Sequence, residues 1–205
     1  MSIQTEDVER LTGFVYMNDY LIDKKDVKPY KAVICYVLAV IFIIVDQLTK
    51  YLIVKNFELN GHKEIIKDFF SLYYVRNTGS AFSMFADKTW GIYMLSAVSL
   101  LMSIVIIYAI YKTLRHKSFW LKTSLVLLLA GAIGNLIDRI RIKYVVDFLR
   151  FDFGSYTFPI FNFADICAVC GTAILLLMII ISNKSVDAYL QLFELKGKKD
   201  NASKD

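Results

Sequence analysis

The chain has 205 residues, is 57% hydrophobic and carries 24 Lys+Arg against 19 Asp+Glu. Its apolar residues gather in long runs rather than in amphipathic repeats, which argues against a soluble domain and points to lipid as the solvent. The basic excess is read as anchoring loops against anionic lipid, not as nucleic-acid binding, for which no signature is present.

In chain order, the leader Met1–Lys31 is charged and contains no apolar stretch. It lacks the basic start and short apolar core of a signal peptide. It is expected to form a cytoplasmic N-terminal extension over 1–31, with an amphipathic-looking stretch, Val8–Tyr20, suited to a membrane surface. The first span is predicted from Ala32 to Val54, interrupted by Asp46 and Lys50. The second, Trp90 to Tyr111, has no charge and lies between Lys88 and Lys112. The third runs from Phe119 to about Ile137, with Lys122 able to reach the interface. The fourth begins near Asp165 and ends at Ser182. Each run has about the 20 residues that a helix needs to cross the hydrocarbon core. A membrane domain over 32–182 and a basic cytoplasmic tail over 183–205 complete the division.

Four spans place both termini on one side. Lys112, Arg115, Lys117 and Lys122 crowd the short second connection, which therefore belongs inside, with the termini. The larger loops then lie outside. Ile65-Ile66 and Phe69 to Val75 are rich in aromatic and branched residues, and Arg150–Phe158 alternates around Gly154-Ser155 like a hairpin. The expected fold class is an all-α integral membrane protein of four transmembrane helices, with a small extracytoplasmic β-rich platform.

Cys35 lies in the first apolar run, and Cys167 and Cys170 in the last. A C-x-x-C pair without a second pair or a nearby histidine reads as packing, and no metal or cofactor is expected.

Ionisable residues in or beside spans require an explanation. Asp46 and Lys50, four apart, form either an ion pair that eases the helix into the interface or a support for a site. Ala130-Gly131-Ala132-Ile133-Gly134 would admit a close helix neighbour. Asn135, Asp138 and Arg139 extend that packing face into a polar stripe. Asp147 is a single charge among branched and aromatic residues. Asp165, three residues after Asn162, resembles a capping box when taken alone. Topology adds a second reading, because Asp147 leaves the third span and Asp165 enters the fourth on the same side of the membrane. Two close carboxylates cannot both ionise, so such a pair shares a proton and can activate water. The N-terminus of the fourth helix favours the anion on Asp165 and the proton on Asp147, while Arg139, Arg141 and Arg150 can bias the pair the other way, so the sequence leaves the proton's place open.

Five ordered blocks resemble the bacterial lipoprotein signal peptidases, also called signal peptidase II. They are Asp46-Gln47-Leu48-Thr49-Lys50, Arg76-Asn77-Thr78-Gly79-Ser80-Ala81-Phe82, Gly131 through Arg139, Val145-Val146-Asp147-Phe148, and Phe158 through Asp165. The resemblance implies a membrane aspartyl endopeptidase that removes the signal peptide from diacylglyceryl-modified prolipoproteins, cutting before the lipidated cysteine without a metal. It implies Asp147 and Asp165 as catalytic residues. Asp46, Lys50, Asn77, Gly79, Asn135, Asp138, Arg139, Asn162 and Ala164 would bind substrate or support the site. Membrane lipids as partners, globomycin as an inhibitor and a bacterial cytoplasmic membrane location belong to the same implication. Two departures stand out: Ala130 replaces the first of the family's paired glycines, and the 31-residue leader is longer than usual. A transporter using intramembrane acids is disfavoured, since the acids gather near one face and no inverted repeat is apparent.

Overall fold

The computed structural model describes residues 30–79, 90–113 and 118–180. The leader with Val8–Tyr20, the C-terminal tail, and the stretches 80–89 and 114–117 lie outside the described residues. Four helices are long and apolar enough to cross a membrane: α1 (Tyr30–Asn56), α2 (Gly91–Lys112), α3 (Phe119–Ile142) and α4 (Phe163–Ile180). On α1 the buried positions Cys35, Ala39, Asp46, Lys50 and Ile53 recur at helical spacing, while Val37, Leu38, Ile41, Ile44 and Leu48 face outward. That distribution suits a span with one stripe on the bundle and the rest on lipid.

The most enclosed span is α3, which touches each of the others. Ser118 starts it by accepting the Leu121 N–H at 3.2 Å, and Lys143 ends it in the left-handed conformation, with φ at 64°. Its C-terminal end lies five residues beyond the predicted Ile137, because the polar side chains of Asp138 and Arg139 turn inward and the helix need not stop at them. The α4 helix approaches closely at Gly131, where an added Cβ would lie 2.6 Å from Ala164 O and 2.9 Å from Ala168 Cβ. Lower down, Ser124 Oγ donates to Gly171 O at 3.0 Å, beside the close contact of Gly171 with Leu128. Small residues allow this approach, and dispersion then acts between the backbones. The α2 helix packs through Ser103, Ile106 and Ile110, and Tyr36 of α1 donates to Ile107 O at 3.1 Å.

The predicted platform is one antiparallel sheet of β1 (His62–Ile66), β2 (Phe70–Asn77), β3 (Val145–Phe153) and β4 (Tyr156–Thr157), in that order. The two loops are therefore sewn together: Val75 pairs with Asp147 and Asn77 with Val145. The β3–β4 hairpin turns at Gly154-Ser155, where Gly154 adopts φ 62°, as its lack of a Cβ permits. A bridge between Leu149 and Phe161 ties β3 to the residues that enter α4. Below the sheet, Ile53, Tyr74, Val146 and Phe148 form a small core that seats it on the end of α1. The described part of the chain thus contains more β structure than an all-α label conveys, and all of it lies at one end of the bundle.

Candidate active site

The polar groups of this end converge in two layers. The deeper layer starts with Lys50, whose ammonium lies 2.9 Å from Asp46 Oδ2 and 3.0 Å from Asp138 Oδ2, and donates to Asn135 Oδ1 at 2.9 Å. All three charged side chains are 1% exposed or less. A lone buried charge of this kind would be very costly, and only mutual pairing with further hydrogen bonds makes it tolerable. Those bonds are present. Asp46 Oδ1 accepts the Ala164 N–H at 2.9 Å, and Asp138 Oδ2 accepts the Val146 N–H at 3.2 Å. The layer thereby fixes the first turn of α4 and the start of β3 against α1 and α3. Asp46 and Lys50 are thus an i,i+4 ion pair, buried between α1, α3 and the start of α4 rather than placed at the membrane interface.

Gln47 belongs to this layer and was not among the expected site residues. Its Nε2 lies 3.1 Å from each of Asp46 Oδ2, Gly134 O and Asp138 Oδ1. A glutamine beside an aspartate carries little signal alone; only its place in the Asp46–Lys50 block pointed to it. Gly134 is small for a matching reason, since a Cβ there would lie 2.7 Å from Asp46 Oδ2 and 3.0 Å from Ala164 Cβ.

The upper layer holds the two aspartates. Asp147 is 3% exposed and accepts from Asn77 Nδ2 at 2.9 Å and from Asn162 Nδ2 at 2.6 Å, one bond to each oxygen. Asn77 is held in turn by the Gly79 N–H, which donates to its Oδ1 at 2.9 Å. Asp165 Oδ1 accepts from Asn135 Nδ2 at 2.8 Å. Its Oδ2 accepts the Asn162 N–H at 3.0 Å, while its own N–H donates to Asn162 Oδ1 at 3.1 Å. The capping box is therefore real and reciprocal, and it does not remove Asp165 from the cluster. Asn162 Nδ2 also reaches Asn135 Oδ1 at 3.1 Å, so the two asparagines bridge the two carboxyls.

Burial pushes the Asp147 carboxyl up to about 7, and the negative charge of Asp165 acts in the same direction. The amide donors Asn77 and Asn162, with the charge of Lys50, oppose that rise without cancelling it. A carboxyl in this state can hold a proton near neutrality and still release it.

Arg139 extends from α3 toward α2, where its Nη1 donates to Ser99 Oγ at 3.4 Å. Its Nε is buried and has no hydrogen-bond partner among the described residues. The guanidinium lies within electrostatic reach of Asp165, Asp147 and Asp138. Hydrogen bonds and ion pairs join every residue expected at the site except Arg139 into one continuous cluster, and Arg139 borders it. Among the described residues no group of three His, Cys, Asp or Glu is arranged to hold a metal. Cys35 and Cys167 are buried and free, and Cys170 is exposed and free.

A family model described as signal peptidase (SPase) II matches residues 38–181. A curated lipoprotein signal peptidase from Enterococcus faecalis is 40% identical over 153 residues, covering 75% of this chain and 91% of that protein. One from Moorella thermoacetica is 44% identical over 138 residues, covering 67% and 87%. Among solved structures, a bacterial membrane enzyme determined by the in meso method at 2.3 Å resolution matches with a TM-score of 0.66 and 28% identity, over 73% of this chain and 88% of that one.

Proposed function

The chain belongs to the signal peptidase II family, whose members cleave signal peptides from lipoprotein precursors, and on that premise we propose that its peptidase chemistry is aspartic, with Asp147 and Asp165 as the catalytic pair. The observation that carries this reading is the shared asparagine bridge: Asn162 and Asn135 each bond a carboxyl of the pair and bond each other. Such a frame holds two acids at fixed separation and keeps their protonation states distinct.

In this reading Asp147 carries the proton and hydrogen-bonds the scissile carbonyl, making its carbon more electrophilic. Asp165, at the N-terminus of α4, bears the negative charge and takes a proton from the attacking water. The tetrahedral intermediate then collapses as the peptide nitrogen leaves with a proton returned from the pair. The orphaned Arg139 Nε supplies a donor for a substrate oxygen.

The substrates are diacylglyceryl-modified prolipoproteins, cut just before the lipidated cysteine. Acyl chains remaining in the bilayer would contribute remote binding energy that orients the peptide against the pair. The sheet lies on the outer face of a bacterial cytoplasmic membrane and both termini lie inside; the basic second connection supports that orientation. Globomycin is the expected inhibitor, competing at the pair.

The deciding experiment is cleavage of a diacylglyceryl prolipoprotein by purified Asp147→Asn and Asp165→Asn chains in detergent. Both are expected to fold and to lose turnover. Full activity in either variant sinks the dyad, and equal cleavage of an unlipidated substrate sinks the substrate class.

A further inference from the structure

Each aspartate of the proposed pair follows a residue whose backbone N–H is held by an acid of the deep layer. Ala164, before Asp165, donates to Asp46 Oδ1 at 2.9 Å, and Val146, before Asp147, donates to Asp138 Oδ2 at 3.2 Å. A few residues away the same two segments meet directly. There the Leu149 N–H donates to Phe161 O at 2.8 Å, and the Phe161 N–H to Leu149 O at 3.2 Å. The chain around the pair is thus a frame. The Leu149–Phe161 bridge closes it on one side, and it closes on the other only if Asp46 and Asp138 are joined to each other.

Two side chains make that joint. Lys50 directs its three N–H groups at Asp46 Oδ2, Asp138 Oδ2 and Asn135 Oδ1. Gln47 spans the same two acids, with Nε2 at 3.1 Å from both Asp46 Oδ2 and Asp138 Oδ1. It engages the oxygen of Asp138 opposite the one that faces Lys50, so it fixes the turn of that carboxylate as well as its distance. A neutral amide does this without the desolvation cost of a second buried cation. The Gly134 carbonyl roots the amide on α3, at the residue where a side chain would strike Asp46.

We propose that Gln47 is a positioning residue for the aspartate pair: by cross-linking Asp46 and Asp138 it closes the frame that sets the separation of Asp147 and Asp165. The inference rests on the aspartic reading given above. Gln47 bonds neither carboxyl of the pair and acts through the two backbone segments that carry them. Without its amide the joint reduces to Lys50, and the two segments can part at Val146 and Ala164 while the Leu149–Phe161 bridge still holds. Reacting groups tolerate little of this, since a misplacement of about 1 Å can cost about 100-fold in rate. A wider separation also weakens the charge of Asp165 at Asp147, which helps to hold the Asp147 proton near neutrality.

The test compares the purified full chain carrying Gln47→Met with the parent, in detergent, on a diacylglyceryl prolipoprotein. Methionine keeps the unbranched shape and has no N–H to give. The expected result is a kcat lower by at least about tenfold, a KM near the parental value, and an alkaline limb of kcat/KM moved to lower pH. Gln47→Asn, whose amide is one methylene short of its acceptors, should change both in the same direction by less, and it stands in if Gln47→Met does not fold. Ser124→Ala is the control for general loosening, because it removes the Oγ bond to Gly171 O that joins α3 to α4 away from the acids. Its kcat and pH limb should match the parent. A parental kcat and limb in a folded Gln47 variant overturns the proposal, as does a rise in KM alone or equal losses in Ser124→Ala. If Asp147→Asn and Asp165→Asn are inactive in the same assay, those outcomes leave the aspartic reading standing; full activity in either sinks that reading instead.

Discussion

Asn162 donates from Nδ2 to Asp147 Oδ1 at 2.6 Å, while its Oδ1 accepts the N–H of Asp165. One short side chain thus caps the helix that carries Asp165 and binds the carboxyl of Asp147, and the two tasks separate by substitution. Asn162→Asp retains an N-cap oxygen but loses the amide donor and introduces a third acid. At neutral pH its thermal midpoint is expected to fall further than that of Asn162→Ala, which forfeits a cap worth about 1 kcal/mol, because the new carboxyl is buried beside two others. Both variants should lose at least an order of magnitude in kcat, measured on a lipidated substrate. A fully active Asn162→Asp would mean that the bridge is dispensable.

The raised Asp147 fixes a pH dependence. If its protonated form is the active one, kcat/KM falls as pH rises through about 7 and the proton is lost. The Asn77 amide stabilises the anion, so Asn77→Ala should favour the proton and move the alkaline limb to higher pH. A pH profile of kcat/KM reads this directly. A limb that moved toward acid would reverse the assigned roles.

Lys50 is the only cation between Asp46 and Asp138 in the deep layer among the described residues. Lys50→Met strands two buried carboxylates, and breaking a buried pair in this way costs about 3–5 kcal/mol. Thermal unfolding in detergent should drop accordingly. Adding Asp46→Asn and Asp138→Asn to Lys50→Met is expected to recover part of the loss, because neutral amides remain hydrogen-bonded at lower desolvation cost. No recovery in the triple variant would show that shape rather than charge governs this layer.

Gly131 and Ala130 are neighbours with different tolerances. A methyl at 131 would meet the Ala164 carbonyl and the Ala168 backbone, neither of which can swing aside. Gly131→Ala should cost about 1–3 kcal/mol by overpacking and displace Ala164 from Asp46. At position 130 the methyl is already present and buried at 2% exposure, so the reduced glycine pair is a packing variant remote from the chemistry. Comparing the melting of Gly131→Ala with that of the parent checks this.

Much of the cluster was legible in the sequence, because charges in apolar runs have few inexpensive explanations. Asp46, Lys50, Asn135, Asp138, Asp147 and Asp165 each stood out against lipid-facing neighbours, and the span count put them at one end. Less visible was how they join. The strand pairing that sets Asn77 beside Asp147 links positions 70 apart, and no local pattern encodes such a register. Gln47 stayed hidden because a neutral amide raises no cost argument until its three acceptors are in view. The extra turns of α3 were missed for the converse reason. Asp138 and Arg139 look like a helix end meeting water, and only inward partners allow the helix to continue through them.

The sewing of β2 to β3 has a consequence for the life of the chain as it is made. The cluster takes Lys50 from α1, Asn77 from β2, Asp147 from β3 and Asp165 from α4. The contacts of Asp165 cannot close until the ribosome has delivered nearly all of the membrane domain. Until the last span is in place, Asp147 and Asp165 remain apart.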